Sequence, residues 1–389
     1  MKRNKIAIIS THTVPASGYG GVVVCLASLV TEWMRQDHKL LLCSSDATEK
    51  GQLKLKDINV GKNVKVRLYH SYWFKRWGFG FGAIATIFSV CWQTDAIYIN
   101  GIATWPTTLA AIMCSCLRRR FVIALHGGFM PEHVSFIRRN KPHKWLYYRL
   151  LTFPTLRRSA TIHCITPIEA KAARQLLGDR VKISIIPNGV DVKNTIAREM
   201  PTGEGITLCY VGRISREKGI NSFLKIWLNN RSQLDRFIVA GSGMTNDLYY
   251  QEFEQLVTTH EDVIDYCGYL AKDELYKVVS ESHFVVLPSG LDAGGIRENF
   301  GNSVAEAFSL GRPAIVSKGL AWDNIEQAGA GFVFELNKES VRATIQSIQT
   351  MTGAARREMG KAARQYAEAH LDIQMTASAV WQIITDDKT

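Results

Sequence analysis

A chain of 389 residues with 46% hydrophobic and 21% charged residues is globular throughout and long enough for two domains, which excludes a disordered or low-complexity protein. Its net charge of +12 lies in one half: residues 1–190 hold 27 Lys and Arg against 9 Asp and Glu, whereas residues 191–389 hold 20 against 26. The basic half calls for an anionic partner and leaves nucleic acid, an anionic membrane surface and a phosphate-bearing acceptor open.

The start, "MKRNKIAIIS", runs from a short basic stretch straight into an apolar strand without the apolar core of a signal peptide, so a cytoplasmic protein is expected. "YGGVVVCLASLVTEWMRQDH" then reads as a glycine loop and a helix. "KLLLCSS", "VKVRLY", "DAIYING", "RFVIALHGG" and "TIHCITP" add five short apolar strands separated by helix-length segments, the pattern of a parallel sheet covered on both faces. The longest apolar stretch, Trp77 to Trp92, holds 16 residues, short of the roughly 20 needed to cross a bilayer. Membrane contact is therefore expected only from the side.

A second series opens after "IIPNGVDV" and runs through "GITLCYVGRI", "RFIVAGSG", "VIDYCGYL", "HFVVLPSG" and "PAIVSKG". Two doubly wound α/β domains in tandem follow, 1–188 and 189–369, with a final helix at about 370–389 expected to return to the first. Ligands of open parallel sheets bind beyond the carboxyl ends of the strands, so two such domains facing each other would make a cleft. The eight cysteines are scattered; Cys114 and Cys116, the one close pair, fit neither a zinc site nor a disulfide framework. Buried free thiols in a reducing compartment are expected.

Gly20 and Gly21 follow the first strand and open a helix, where free amides and the helix dipole favour phosphate. Neither this stretch nor "GSGMTN" at 241–246 has the third glycine of the dinucleotide fingerprint, which argues against a nicotinamide or flavin enzyme. In "GRISREKG", residues 212–219, Arg213 and Lys218 place two cations after a strand, able to neutralise a diphosphate without a metal. In "RENFGNSVAEAFSLG" the turn precedes an amphipathic helix starting near Asn302 or Ser303. Glu298 lies before that helix and Glu306 about one turn inside it, so amides can hold phosphate while carboxylates accept from hydroxyls.

The ordered set "VVLPSG", the Glu-seven-Glu interval and "GRPAIVS" resembles the signature of glycosyltransferase family 4, retaining enzymes of the GT-B fold. "IIPNGVD" is similar to that family's interdomain connection, "YVGRISREKG" to its diphosphate loop and "ALHGG" to its active-site histidine loop. The resemblance implies that Arg213 and Lys218 bind the donor diphosphate, and that Glu298, Asn299, Phe300, Gly301 and Asn302 address donor sugar and phosphate. It further implies that Glu306 accepts from the ribose, that His126 lies near the anomeric centre, and that Gly20 and Gly21 let their loop approach the donor. The catalytic set is then His126, Glu298, Arg213 and Lys218, in a hexosyltransferase using a UDP- or GDP-sugar.

No Asp-x-Asp pair occurs in the chain, so no metal and no other cofactor is expected. Two departures stand out. The spacer "LDAGGI", 291–296, is longer than usual and is expected either to reshape the sugar pocket or to make Asp292 a donor contact, and Ala321–Trp322 stands where many relatives have Pro-Trp.

Two stretches of the first half mix aromatics with cations, one holding Trp73, Lys75, Arg76 and Trp77, the other Arg138, Arg139, Lys144 and Trp145. Such a mixture suits the headgroup region of an anionic bilayer and a lipid-linked saccharide acceptor, as in assembly of bacterial surface polysaccharide. A GT-B sugar-nucleotide epimerase and a basic nucleic-acid-binding protein are the alternatives; the second leaves both glutamates and the diphosphate loop without a purpose.

Overall fold

The computed structural model describes residues 6–16, 20–48, 51–292 and 297–386. The chain forms two compact units, Met1–Gly189 with Ile373–Thr389, and Val190–Asp372.

Among the described residues the first unit holds seven parallel strands: β1 Ile6–Ser10, β2 Leu40–Ser45, β3 Val64–Tyr69, β4 Ala96–Asn100, β5 Arg120–Ala124, β6 Thr161–Cys164 and β7 Ile183–Ile185. Their order is β3-β2-β1-β4-β5-β6-β7, so the winding reverses between β1 and β4. The central strands are apolar at successive residues because helices cover both faces, and Ile6 to Ile9 are all fully buried. Helix α1 (Gly21–Arg35) and the C-terminal helix Ile373–Thr385 share one face. The Trp33 indole donates to the Ala377 carbonyl at 2.9 Å, and Arg120 donates to the carbonyls of Ile383 and Ile384. The other face carries α2 (Gly82–Gln93), α3 (Trp105–Cys116), α4 (Pro131–Asn140), α5 (Pro142–Tyr147), α6 (Phe153–Leu156) and α7 (Pro167–Leu177). A π-helical turn, Tyr148–Thr152, joins α5 to α6.

Among the described residues the second unit has six parallel strands: β8 Thr207–Val211, β9 Arg236–Ala240, β10 Ile264–Gly268, β11 Phe284–Leu287, β12 Ala314–Ser317 and β13 Gly331–Phe334. The order β10-β9-β8-β11-β12-β13 reverses between β8 and β11. Its helices are α8 (Ile220–Leu228), α9 (Leu248–Thr259), α10 (Lys272–Ser280), α11 (Asn302–Ser309), α12 (Lys338–Thr350) and α13 (Gly353–His370). The short margin strands β7 and β13 contain half-buried residues, unlike the strands they flank. In a doubly wound sheet the crevice for a ligand opens at the carboxyl ends of the strands flanking the reversal. In the second unit these are β8 and β11, which lead into the stretches containing Arg213 and Glu298.

Candidate functional site

After β8 the chain turns through Arg213 to a 3₁₀ turn, Arg216–Lys218, and enters α8 at Gly219. Gly219 has φ +72°, and a Cβ there would lie 2.1 Å from the Pro288 carbonyl oxygen, so the turn packs on the loop after β11 only because the residue is glycine. Ser289, fully buried in that loop, ties the region together. Its hydroxyl donates to the Glu217 carbonyl at 3.0 Å and accepts from the Glu298 amide at 2.8 Å, and its own carbonyl accepts from Ser317 Oγ at 2.7 Å. The loops after β8 and β11 are thereby fastened to each other, and Lys218 meets Glu298 in an ion pair.

Lys218 and Glu298 are both largely covered, whereas Arg213 is exposed and pairs with Glu217 at 3.1 Å. Burial lowers the Lys218 ammonium to about 8, with the Arg213 charge adding to the effect and Glu217 opposing it. The touching Glu298 carboxylate favours the charged form, so the lysine is a cation at neutral pH.

Gly301 precedes α11 at φ +75°, and a Cβ there would lie 2.5 Å from Leu287 Cδ2. Gly301 itself brings no side chain to cap α11, and the positive end of the helix dipole lies at this turn. Phe300 anchors the turn from below: its carbonyl accepts the Trp322 indole N–H, and the two rings lie 4.9 Å apart. Trp322 is therefore a buried post under the turn, next to Phe308 as well. Asn299 is buried in the same turn. Within α11, burial pushes the Glu306 carboxyl up to about 7, and Lys272 opposes the shift. Burial first, and then the Glu306 charge, raise the phenol of Tyr276 on α10.

Asp292 is engaged within the second unit. Its carboxylate accepts from the Ser222 amide at 3.2 Å and from the Tyr249 hydroxyl at 2.5 Å, while that hydroxyl accepts from the Asn221 amide at 3.0 Å. These two groups cap α8, whose Gly219 has no side chain to do so. The rest of the spacer, 293–296, lies outside the described residues.

In the first unit His126 follows β5 with φ +48°, a left-handed backbone rare for a non-glycine residue. Its partners fix its chemistry. Ser10 Oγ donates to the His12 carbonyl and so accepts from Asn100 Nδ2 at 3.3 Å, which turns Asn100 Oδ1 toward His126 Nε2 at 2.6 Å. Nε2 carries the proton and Nδ1 keeps a lone pair. Burial, and then the nearby His163, lower the imidazole to about 3, so it is neutral. The following turn is held by the fully buried Glu169, which accepts from the Gly127 amide at 2.5 Å and the Ile165 amide at 3.1 Å. Asn100 and Glu169 go unnoticed in the sequence, although "TPIE" after β6 has the Thr-x-x-Glu spacing of a capping box, and Thr166 does accept from the Glu169 amide at 3.1 Å. Gly20, at φ +99°, and Gly21 lie exposed at the uncapped start of α1.

The aromatic and cationic residues divide. Trp73, Lys75, Arg76, Arg138 and Arg139 are exposed. Trp77 and Trp145 turn inward: the Trp77 indole donates to the Ala103 carbonyl at 3.0 Å beside Trp105, and Trp145 packs edge-on against Phe153. Lys144 is half-buried over the Tyr148 ring, and burial, then Lys141, lowers its ammonium.

Residues 19–194 match the family model described as Glycosyltransferase Family 4, and residues 205–351 the model described as Glycosyl transferases group 1. No curated protein matches the sequence. Among solved structures, Anabaena HepE in complex with UDP and glucose shares 18% identity at a TM-score of 0.75, covering 98% of this chain and 100% of its own. Sucrose-phosphate synthase from Thermosynechococcus elongatus shares 17% identity at 0.76, covering 98% of both chains. WaaG, described as a glycosyltransferase involved in lipopolysaccharide biosynthesis, shares 13% at 0.72, covering 98% of this chain and 99% of its own. At these identities the likeness is one of fold, that of two Rossmann-like domains.

Proposed function

Because this chain is a hexosyltransferase of the glycosyltransferase family 4 type on the GT-B fold, we propose that it moves a sugar from a nucleoside-diphosphate sugar to a lipid-linked saccharide or glycolipid, with retention at the anomeric carbon. The observation that carries the reading is the Lys218–Glu298 pair held beside the glycine-led start of α11, at the carboxyl ends of β8 and β11. Bond cleavage at the anomeric carbon develops oxocarbenium character on the sugar and negative charge on the departing diphosphate. Lys218, Arg213 and the amides at the start of α11 supply positive charge for that diphosphate without a metal. Glu298 then orients the sugar through its hydroxyls, and Glu306 accepts from the ribose. Neutral His126 offers the Nδ1 lone pair to a sugar hydroxyl.

HepE has been crystallised in complex with UDP and with UDP-glucose, and a trehalose-6-phosphate relative in fold from E. coli is bound with UDP-2-fluoro glucose, which makes uridine the first base to try. WaaG and the basic first half support an acceptor from surface polysaccharide synthesis, taken at the inner face of the cell membrane. Among the described residues no helix is long and apolar enough to cross a membrane, so attachment from the side is the form this contact takes. The epimerase and nucleic-acid readings leave the family matches or the paired glutamates without a role.

The test is a thermal-shift screen of UDP, GDP and their sugars, since a ligand of the native state raises the melting temperature. One nucleotide should stabilise the wild type and lose most of its effect on Lys218→Ala. Sugar-nucleotide turnover that continues without any acceptor would favour the epimerase and end this reading.

A further inference from the structure

From Gly78 to Leu117 the sequence holds one charged residue, Asp95, and three consecutive arginines follow, Arg118 to Arg120. The structure explains half of this composition: the inner faces of α2 and α3 build the core with Ile87, Val90, Ala110 and Cys114. It does not explain the outer face. Phe81, just before α2, and Ile84, Phe88 and Trp92 on it follow one another at intervals of three or four and are all exposed, Phe81 and Trp92 at 64% and 61%. Phe88 and Trp92 stack at 6.0 Å. Helix α3, packed beside α2, leaves Ile112 and Met113 half-buried, and on the α5 side Leu146 and Leu150 are exposed. An apolar surface of this extent on a globular domain marks an interaction site.

Cations bound this surface at both ends of α2. Lys75 and Arg76 lie exposed in the turn before it, next to exposed Trp73 and Phe74. At the other end Arg119 donates to the Trp92 carbonyl at 3.0 Å, and Arg118, Arg119, Arg120 and Arg158 line a cavity of about 400 Å³. Arg120 is engaged by the C-terminal helix, but Arg118 and Arg158 are exposed. A stripe of Phe, Ile and Trp between two groups of cations is complementary to the acyl boundary and phosphates of an anionic bilayer.

We infer that the outer face of α2 and α3 docks in the plane of an anionic membrane, with α2 lying in the interface and the Arg118–Arg158 cavity taking a lipid headgroup phosphate. This deepens the reading of a membrane-borne acceptor by naming the surface: it keeps the exposed Lys75 and Arg76 of the first aromatic and basic stretch and adds the outer face of α2, whereas Trp77 and Trp145 pack inward.

The test is co-sedimentation of the full chain with vesicles of phosphatidylcholine alone and of phosphatidylcholine with phosphatidylglycerol. The wild type should pellet at least tenfold more with the anionic vesicles. The double variant F88D/W92D, changed at exposed positions, should lose that binding while keeping its melting temperature and its stabilisation by nucleotide. R118E/R158E should weaken anionic binding by roughly fivefold per positive charge removed, in a salt-dependent way. Equal pelleting of wild type and F88D/W92D would overturn the inference. So would a wild-type dimer, broken by F88D/W92D, that ignores vesicles, since the face would then join two copies. Nucleotide stabilisation without vesicle binding rejects docking alone, and vesicle binding without nucleotide stabilisation rejects the donor site alone.

Discussion

Helices α8 and α11 of the second unit begin alike and end up with opposite roles. Each follows a strand at the winding reversal, and each is entered through a left-handed glycine, Gly219 at φ +72° and Gly301 at φ +75°. The start of α8 is closed by the Tyr249 hydroxyl and the Asp292 carboxylate, whereas the glycine turn that leads α11 carries Glu298 and, through it, Lys218. The dipole is therefore answered by a carboxylate inside the protein at α8, whereas at α11 it lies beside the Lys218–Glu298 ion pair. A helix start after a strand is thus a candidate anion site only once its own chain has been shown not to fill it.

The largest test of this contrast removes the charge beside α11. Lys218→Ala should lower the transfer rate by about 100- to 1000-fold, the range for losing one preorganised charge contact, with a melting temperature close to wild type. Glu298→Ala should act in the same direction, and single-turnover kinetics with saturating donor would show near-normal rates if the pair had no such part. Next, Ser303→Asp places a carboxylate in the first turn of α11 and mimics what Asp292 does for α8. It should raise apo stability by about 0.5 kcal/mol and weaken nucleotide binding about tenfold, because the new charge repels the diphosphate. Titration calorimetry of UDP, with thermal melts of the apo protein, measures both.

A smaller effect comes from pH. Glu306, raised to about 7 by burial, must give up its proton to accept from two hydroxyls, so nucleotide affinity should rise with pH through about 7, by at most tenfold per pH unit. Binding below that point should release a proton, seen as heat that depends on the buffer. Above about 8 affinity should fall again as Lys218 loses its charge. The smallest effect belongs to α8. Asp292→Ala should cost about 1 kcal/mol of stability, a typical cap, and leave donor affinity unchanged. An equal loss of affinity would make Asp292 a donor contact after all.

The alternation of apolar runs with helix-length segments made two parallel sheets legible, down to "VKVRLY" as β3 and a helix starting at Asn302. The margin strands β7 and β13 escaped because Ile183–Ile185 and Gly331–Phe334 are short and half-buried, so neither carries the continuous apolar signal of a central strand. At the candidate site, spacing together with the family resemblance singled out Lys218, Glu298 and the Gly301 turn. What it could not reveal was which groups meet across distance. Ser289 reaches Glu217 over 72 positions, Asp292 reaches Ser222 over 70, and Glu169 reaches Gly127 over 42. Until these contacts are known, a carboxylate committed to a helix cap looks the same as one waiting for a ligand. The indoles of Trp77 and Trp145 teach the same lesson: beside lysines and arginines they read as surface residues, and only the neighbouring rings of Trp105 and Phe153 draw them inside.

The hydrogen-bond chain from the Ser10 hydroxyl through Asn100 to His126 has a spectroscopic consequence. An imidazole locked in one tautomer, with a proton affinity far below its surroundings, is blind to the medium. Nitrogen NMR should show a pyridine-type Nδ1 and a pyrrole-type Nε2 whose signals stay put from about pH 5 to about pH 9. Any kinetic inflection in that interval then belongs to a group other than His126, leaving this ring to act through its shape and its lone pair.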